Sequence, residues 1–149
     1  SIGTLTRGAW FDSGLGNFPL ASSVITDTDQ NYLYEHEKGF DDDGLPLTAY
    51  VESGDLEIGD GNAFMFMTGI IPDFSFKGTD PSVDMTIKGR DYPLQDTSTL
   101  ATTTITANTT ESHIRARSRH PVIRVESNGE GYGWRLGTLR IDVRQDGRR

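Results

Sequence analysis

Cysteine is absent from the 149 residues. That excludes disulfides, cysteine-ligated zinc, iron–sulfur clusters and thiol catalysis. No apolar run approaches the roughly 20 residues a membrane helix needs, and no signal-peptide core is visible, so no membrane segment is expected. Helical periodicity is missing as well. No window carries apolar positions at i, i+3, i+4 and i+7 without a Gly or Pro breaking it. The nucleophile elbow G-x-S-x-G, the phosphate-binding P-loop and the dinucleotide glycine pattern are all lacking, so no enzyme activity and no cofactor are expected.

What is present describes a folded β protein. The 9% of aromatic residues and the patterned segments argue against disorder. The length suits one domain, or one domain with a remnant of another. The chain begins with Ser rather than Met, and it is expected to be a piece of a longer protein. The formal charge of −8 disfavours a general nucleic-acid binder or a polybasic membrane module. That charge is unevenly placed. Residues 1–80 hold three basic side chains against fourteen acids, a net −11, whereas residues 81–149 hold eleven against eight, a net +3. An acidic part and a basic part in one chain suit contacts between copies of it, although surface charge commonly serves only solubility.

Strand signals run through the chain. Val83 to Lys88 and Leu139 to Arg144 alternate apolar and polar residues, as strands with one buried face do. Ala63 to Ile71 is a continuous apolar run, which predicts a strand buried on both faces. Ala49 to Ile58 reads as a strand interrupted at Ser53-Gly54, joined to that run by a hairpin turn at Gly59-Asp60-Gly61-Asn62. Thr102 to Thr106, Ile114 to Ser118 and Val122 to Glu126 are further strands, with Pro121 marking a bend, a bulge or an edge. Leu5 to Phe11, Leu20 to Ile25 and Tyr32 to Glu35 are short strands resembling a hairpin or a propeller blade, with a polar turn at residues 27–31. The fold class predicted is all-β: a blade-like segment and linker over residues 1–44, then an antiparallel β-sandwich over residues 45–149. The predicted core is Phe64, Phe66, Ile70, Met85, Ile87, Ile123, Val125, Leu139, Ile141 and Val143.

Few residues invite a chemical role. His36, His113 and His120 lack metal-ligand spacing. Asp41 and Asp43, in Asp41-Asp42-Asp43-Gly44, are weak candidates for a calcium loop, because Leu45-Pro46-Leu47 interrupts the oxygen ligands such a loop needs. The alternative is a turn, which Asp and Gly favour anyway. Arg115, Arg117 and Arg119 stand at alternate positions and share a face if the segment is a strand. Arg124, Arg140 and Arg144 also occupy polar strand positions, so adjacent strands would gather all six into one basic face. Over residues 81–149 Arg outnumbers Lys ten to one, and its planar fork suits carboxylate and phosphate. The face would meet the acidic part of a neighbouring copy or line a DNA channel; the bland alternative is a solvated row.

Several segments carry a resemblance. His113-Ile114-Arg115-Ala116-Arg117-Ser118-Arg119-His120 resembles an RARGRQ-like segment, with Ser118 where that pattern has Gly and His120 where it has Gln. Gly133 to Val143 followed by Asp146-Gly147-Arg148-Arg149 resembles a terminal WRLG…DGRR signature. Glu52 to Gly61, Ile70 to Phe74 and Tyr32 to Glu37 fit the same picture. Together they resemble the C-terminal part of virion proteins of short-tailed bacteriophages, described as tail nozzle, tail tubular or packaged-DNA-stabilising proteins. The resemblance implies a structural, non-enzymatic protein of the virion tail, made in the bacterial cytoplasm. It implies a homo-oligomeric ring at the portal exit that binds other tail proteins and touches passing DNA transiently and without sequence preference. The alternative from another class is a carbohydrate-binding β-sandwich for host-surface attachment, with Trp10, Phe11, Tyr132 and Trp134 as sugar platforms. A glycoside hydrolase, the third class, would need a paired-carboxylate cleft.

Overall fold

The structure is a computed structural model that describes residues 7–12, 14, 16–24, 32–59 and 61–148. Among these residues the chain is all-β, with no helix and with every strand pair antiparallel. Two compact units divide between Gly39 and Phe40. The division precedes Asp41-Asp42-Asp43-Gly44 because Phe40 packs within the second unit. Its ring occupies the space where a side chain on Gly133 would stand, and Asp41 bridges to Pro46.

The first unit holds three short strands, β1 (Arg7–Phe11), β2 (Leu20–Ser23) and β3 (Leu33–Glu35), in the order β1-β2-β3. This is a three-stranded meander, one strand short of a propeller blade. The expected turn at residues 27–31, and the outer ends of the first two strands at residues 5–6 and Ile25, lie outside the described residues. Within this unit the described residues bury one apolar side chain, Ala21. Cross-strand rings support it instead: the Arg7 guanidinium lies 3.6 Å above Tyr34, and Trp10 packs against His36 at 4.3 Å.

The second unit is sandwich-like. One layer is a four-stranded sheet, β4 (Ala49–Glu52), β10 (His120–Ser127), β7 (Ser82–Arg90) and β8 (Ser98–Thr106), in that order. Two smaller sheets complete the unit: β12 (Arg140–Gln145), β5 (Met65–Ile71) and β9 (Ser112–Ser118), and the pair β11 (Tyr132–Leu136) and β6 (Phe74–Gly78). The core joins Met67 and Ile70 of β5, Ile114 and Ala116 of β9, Val83, Met85 and Ile87 of β7, Ile105 of β8, and Ile123 and Val125 of β10. Strict alternation produces it. On β9 the inward Ser112, Ile114, Ala116 and Ser118 are buried, and the residues between them are exposed.

The structure departs from the sequence reading in definite places. β5 is not buried on both faces. Met65 and Met67 take the inward phase, leaving Phe66 and Thr68 half-buried on the outer one. Phe66 is therefore not a core residue, and Leu139, Ile141 and Val143 pack only partly buried against the core. The expected hairpin at residues 59–62, of which Asp60 lies outside the described residues, is not formed, because β4 pairs with β10 and not with β5. The chain there crosses from one layer to the other, a path in which left-handed glycines serve as well as in a turn. Strands β6 and β11 escaped the sequence reading, being short and flanked by Pro72-Asp73, Gly129 and Gly131. Pro121 sits on β10 beyond Arg124, the last residue matched to β4, so no strand needs its missing N–H on that side.

Candidate functional site: the arginine face of β9, β5 and β12

β5 lies between β12 and β9, so its outward side chains stand beside theirs. Phe66 is opposite Arg144 on one side and Arg117 on the other. At Thr68 the register slips against both neighbours, and Thr68 and Gly69 together oppose Asp142. Such a bulge re-aims the side chains around it. The Thr68 hydroxyl donates to Asp142 Oδ2 at 2.6 Å. The face that results presents Arg115, Arg117, Arg140, Arg144 and His113 to solvent, against Glu111, Asp142 and Asp146.

Aromatic rings hold three guanidiniums here in place, those of Arg117, Arg119 and Arg144. Arg117 lies 3.7 Å from the centroid of Phe64, and Arg144 lies 4.8 Å from that of Phe66. Arg119 stands 4.8 Å from Phe64 and 5.3 Å from Tyr92. Contacts of this kind contribute about 0.5–1 kcal/mol at exposed sites, and they fix the orientation of long side chains that would otherwise sample many rotamers. The segment after β12 completes the clamp. Phe64 N–H donates to Gly147 O and Asp146 N–H to Phe64 O, each at 2.9 Å. Arg117 Nε donates to Asp146 Oδ2 at 2.6 Å, and Arg119 Nη2 donates to the Arg148 carbonyl at 2.9 Å. Arg115, Arg140 and Arg144 have no carboxylate within ion-pair distance among the described residues.

The structure thus brings together five of the six arginines singled out in the sequence, with two corrections. Arg119 is not part of an exposed strand row. It is the corner between β9 and β10 and is half-buried, because the chain passes there from one layer to the other. Arg124 does not join the face at all. It lies on β10, whose polar side belongs to the four-stranded sheet, 4.0 Å from the Tyr50 ring. There it donates to Glu126 Oε2 at 2.8 Å and Glu52 Oε2 at 3.3 Å, while Lys88 donates to the same Glu52 oxygen at 2.8 Å. One sheet therefore pairs its charges internally, and the other keeps a basic excess. Phe64, Phe66 and Tyr92 were missed as parts of the face. An apolar run does not reveal its outward phase, and only the Arg alternation of β9 hinted that aromatic neighbours would lie beneath it.

The hydrogen bonds from Lys88 and then Arg124 hold the Glu52 carboxyl below its ordinary value near 4.5. The folded state thus binds this proton less readily than the unfolded chain. Its stabilising contribution is complete above the unfolded value and is lost as pH falls through the folded one. Glu52→Gln is expected to lower the urea midpoint at neutral pH, with the difference from the parent closing as the pH is taken below 4. A difference that holds constant into acid would show that the carboxylate charge does not matter.

The other candidates resolve locally. Asp43 and Gly44 have φ of 56° and 76°, and Asp42 and Leu45 exchange backbone hydrogen bonds at 2.8 and 3.1 Å. That is a two-residue turn with both central residues left-handed, the conformation for which Asp-Gly is selected. The Asp41 carboxylate accepts from Gly44 N–H at 3.2 Å. No three His, Asp or Glu side chains converge as a metal site among the described residues. His113 is exposed, 3.9 Å from Glu111. His120 is buried with Nδ1 3.2 Å from Glu57 Oε1, out of line for a hydrogen bond. Of the four aromatic residues considered as sugar platforms, Trp134 donates to Ser127 Oγ at 2.8 Å and packs edge-on to Phe74, and Tyr132 fills the space over Gly129. Trp10 and Phe11, both 62% exposed, belong to the other unit.

Fold and face together define an all-β, sandwich-like module with a basic, aromatic-lined sheet surface. No protein-family model matches the chain, and no curated protein matches it.

Proposed function

We propose that this chain is a structural module of a phage virion, part of the tail nozzle. In this reading it assembles with copies of itself into a ring at the portal exit, binds other tail proteins and lets DNA pass. The observation that carries the reading is the arginine face of β9, β5 and β12. Rings hold the guanidiniums of Arg117, Arg119 and Arg144, and Arg115, Arg140 and Arg144 have no carboxylate within ion-pair distance among the described residues. A surface of that kind meets carboxylates across an interface, and the net −11 of residues 1–80 supplies them on the next copy. Head-to-tail contact of unlike surfaces repeats until it closes a ring. The module acts by geometry and surface charge, without catalysis. Passing DNA would touch the basic side chains weakly, since few phosphates are neutralised at once.

Arg115→Glu with Arg117→Glu and Arg144→Glu, made together in the whole protein, is expected to abolish ring formation seen by electron microscopy. Intact rings with normal DNA retention would overturn the proposed role of the face. Intact rings that fail to retain or eject DNA would move the face from the interface to the channel.

A further inference from the structure

The four-stranded sheet has two edges, and they match each other. At one, β8 is nine residues long and contains no charged residue and no proline. Its irregularity against β7 lies at the Leu100 end, so Ala101 to Thr106 runs regularly. Natural edge strands are usually blunted by charge, proline or a bulge. The edges of the sheet across the core follow that rule, with Arg115 and Arg117 on β9 and Arg140, Asp142 and Arg144 on β12. The six regular residues of β8 have no such guard. At the other edge, β4 carries a single charge, Glu52.

The hydrogen-bonding phase of both edges is set by the register. Ser53 N–H donates to Ile123 O at 2.9 Å and Ser53 Oγ accepts from Ile123 N–H at 3.0 Å, so Ile123 faces the β4 side. With β-sheet alternation, Val51 then faces β10, and Tyr50 and Glu52 turn their N–H and C=O groups outward. Carried across β7, the same alternation turns Ala101, Thr103 and Ile105 towards β7, and Thr102, Thr104 and Thr106 away from it. Thr106 agrees independently: its N–H goes to Thr109 Oγ1 at 3.0 Å and its carbonyl accepts from Thr109 N–H at 3.1 Å. Thr102 and Thr104 therefore offer four main-chain groups at one edge, and Tyr50 and Glu52 offer four at the other.

We infer that β8 of one copy pairs antiparallel with β4 of a second copy of this chain, Thr102 opposite Glu52 and Thr104 opposite Tyr50. Directions agree. β4 and β8 are three antiparallel steps apart and run oppositely, so a copy rotated about an axis along the strands continues the alternation. Phase agrees, because both pairs direct donors and acceptors at one another. Side chains agree, because Thr102, Thr104, Tyr50 and Glu52 all project from the outer face. The inference rests on the proposed assembly of copies and gives it a contact. It uses one layer of the sandwich and leaves the arginine face, on the other, free to meet the acidic part of a neighbouring copy.

The absence of cysteine makes the test direct. Tyr50→Cys with Thr104→Cys places two thiols at opposed positions across the junction. A hydrogen-bonded pair has Cα atoms about 5.5 Å apart, within the roughly 4.4–6.8 Å that a disulfide spans. Within one chain the two positions lie three strand spacings apart, about 14 Å, too far to close. Mild oxidation of the double variant is expected to give a ladder of covalent oligomers on a non-reducing gel. Adding Thr102→Pro should remove the ladder with the thermal midpoint unchanged, since that N–H serves no bond within the sheet. Copies that associate by light scattering yet give no ladder would overturn the inference and leave the assembly reading standing. Monomers at every concentration would overturn both. A covalent dimer from Thr104→Cys alone would show β8 meeting β8 and overturn the pairing with β4.

Discussion

Gly78→Ala is expected to lower the thermal midpoint by more than about 10 °C, since each kcal/mol lost moves the midpoint of a domain this size by several degrees. Gly78 ends β6 opposite Tyr132, with φ at +97°, outside the range that a side chain tolerates. A Cβ there would stand 2.2 Å from the Gly131 carbonyl oxygen and 2.7 Å from Tyr132 Cα. Both are backbone atoms that cannot swing aside. The backbone strain costs about 1–3 kcal/mol and the overpacking roughly as much again. An alanine variant that melts with the parent would mean that β6 and β11 do not meet as described.

Ile87→Ala is expected to cost about 2–5 kcal/mol, read as a lower urea midpoint with an unchanged slope. Ile87 is fully buried on β7, a central strand of the four-stranded sheet, and belongs to the core between the layers. Phe66→Ala provides the contrast. It removes a larger side chain, but one that is half-buried under Arg144, so its cost should fall below that of Ile87→Ala. The opposite order would place Phe66 inside the core, as the apolar run had suggested.

That pair of residues shows what was legible before the structure. β7 and β12 could be read directly, because each buries one face and writes the period of two into its sequence. Residues 63–71 could not be resolved in the same way. Where both phases are apolar, the inward one is decided by partners distant in sequence, here Arg117 and Arg144 on the flanking strands. The lost hairpin at Gly59 to Asn62 has the same origin. Left-handed glycines specify a local backbone conformation, whereas the partner of β4 is chosen by the sheet that covers it. The arginine face was partly legible. Alternation on β9 placed Arg115 and Arg117 correctly, and polar phase did so for Arg140 and Arg144. Arg124 has the same local pattern and lies in the other layer, because a single-strand pattern says which residues share a side but not which sheet the strand enters. Arg119 fails for a related reason: alternation assumes that the strand continues, and at that residue the chain turns the corner into β10.

The proposed function requires that the chain associates with copies of itself. Sedimentation of the whole protein over a range of concentrations tests it most directly. A closed oligomer of fixed size, weakened as salt screens the arginine face, is the predicted result. A monomer that persists at the highest concentration and lowest salt would contradict the account.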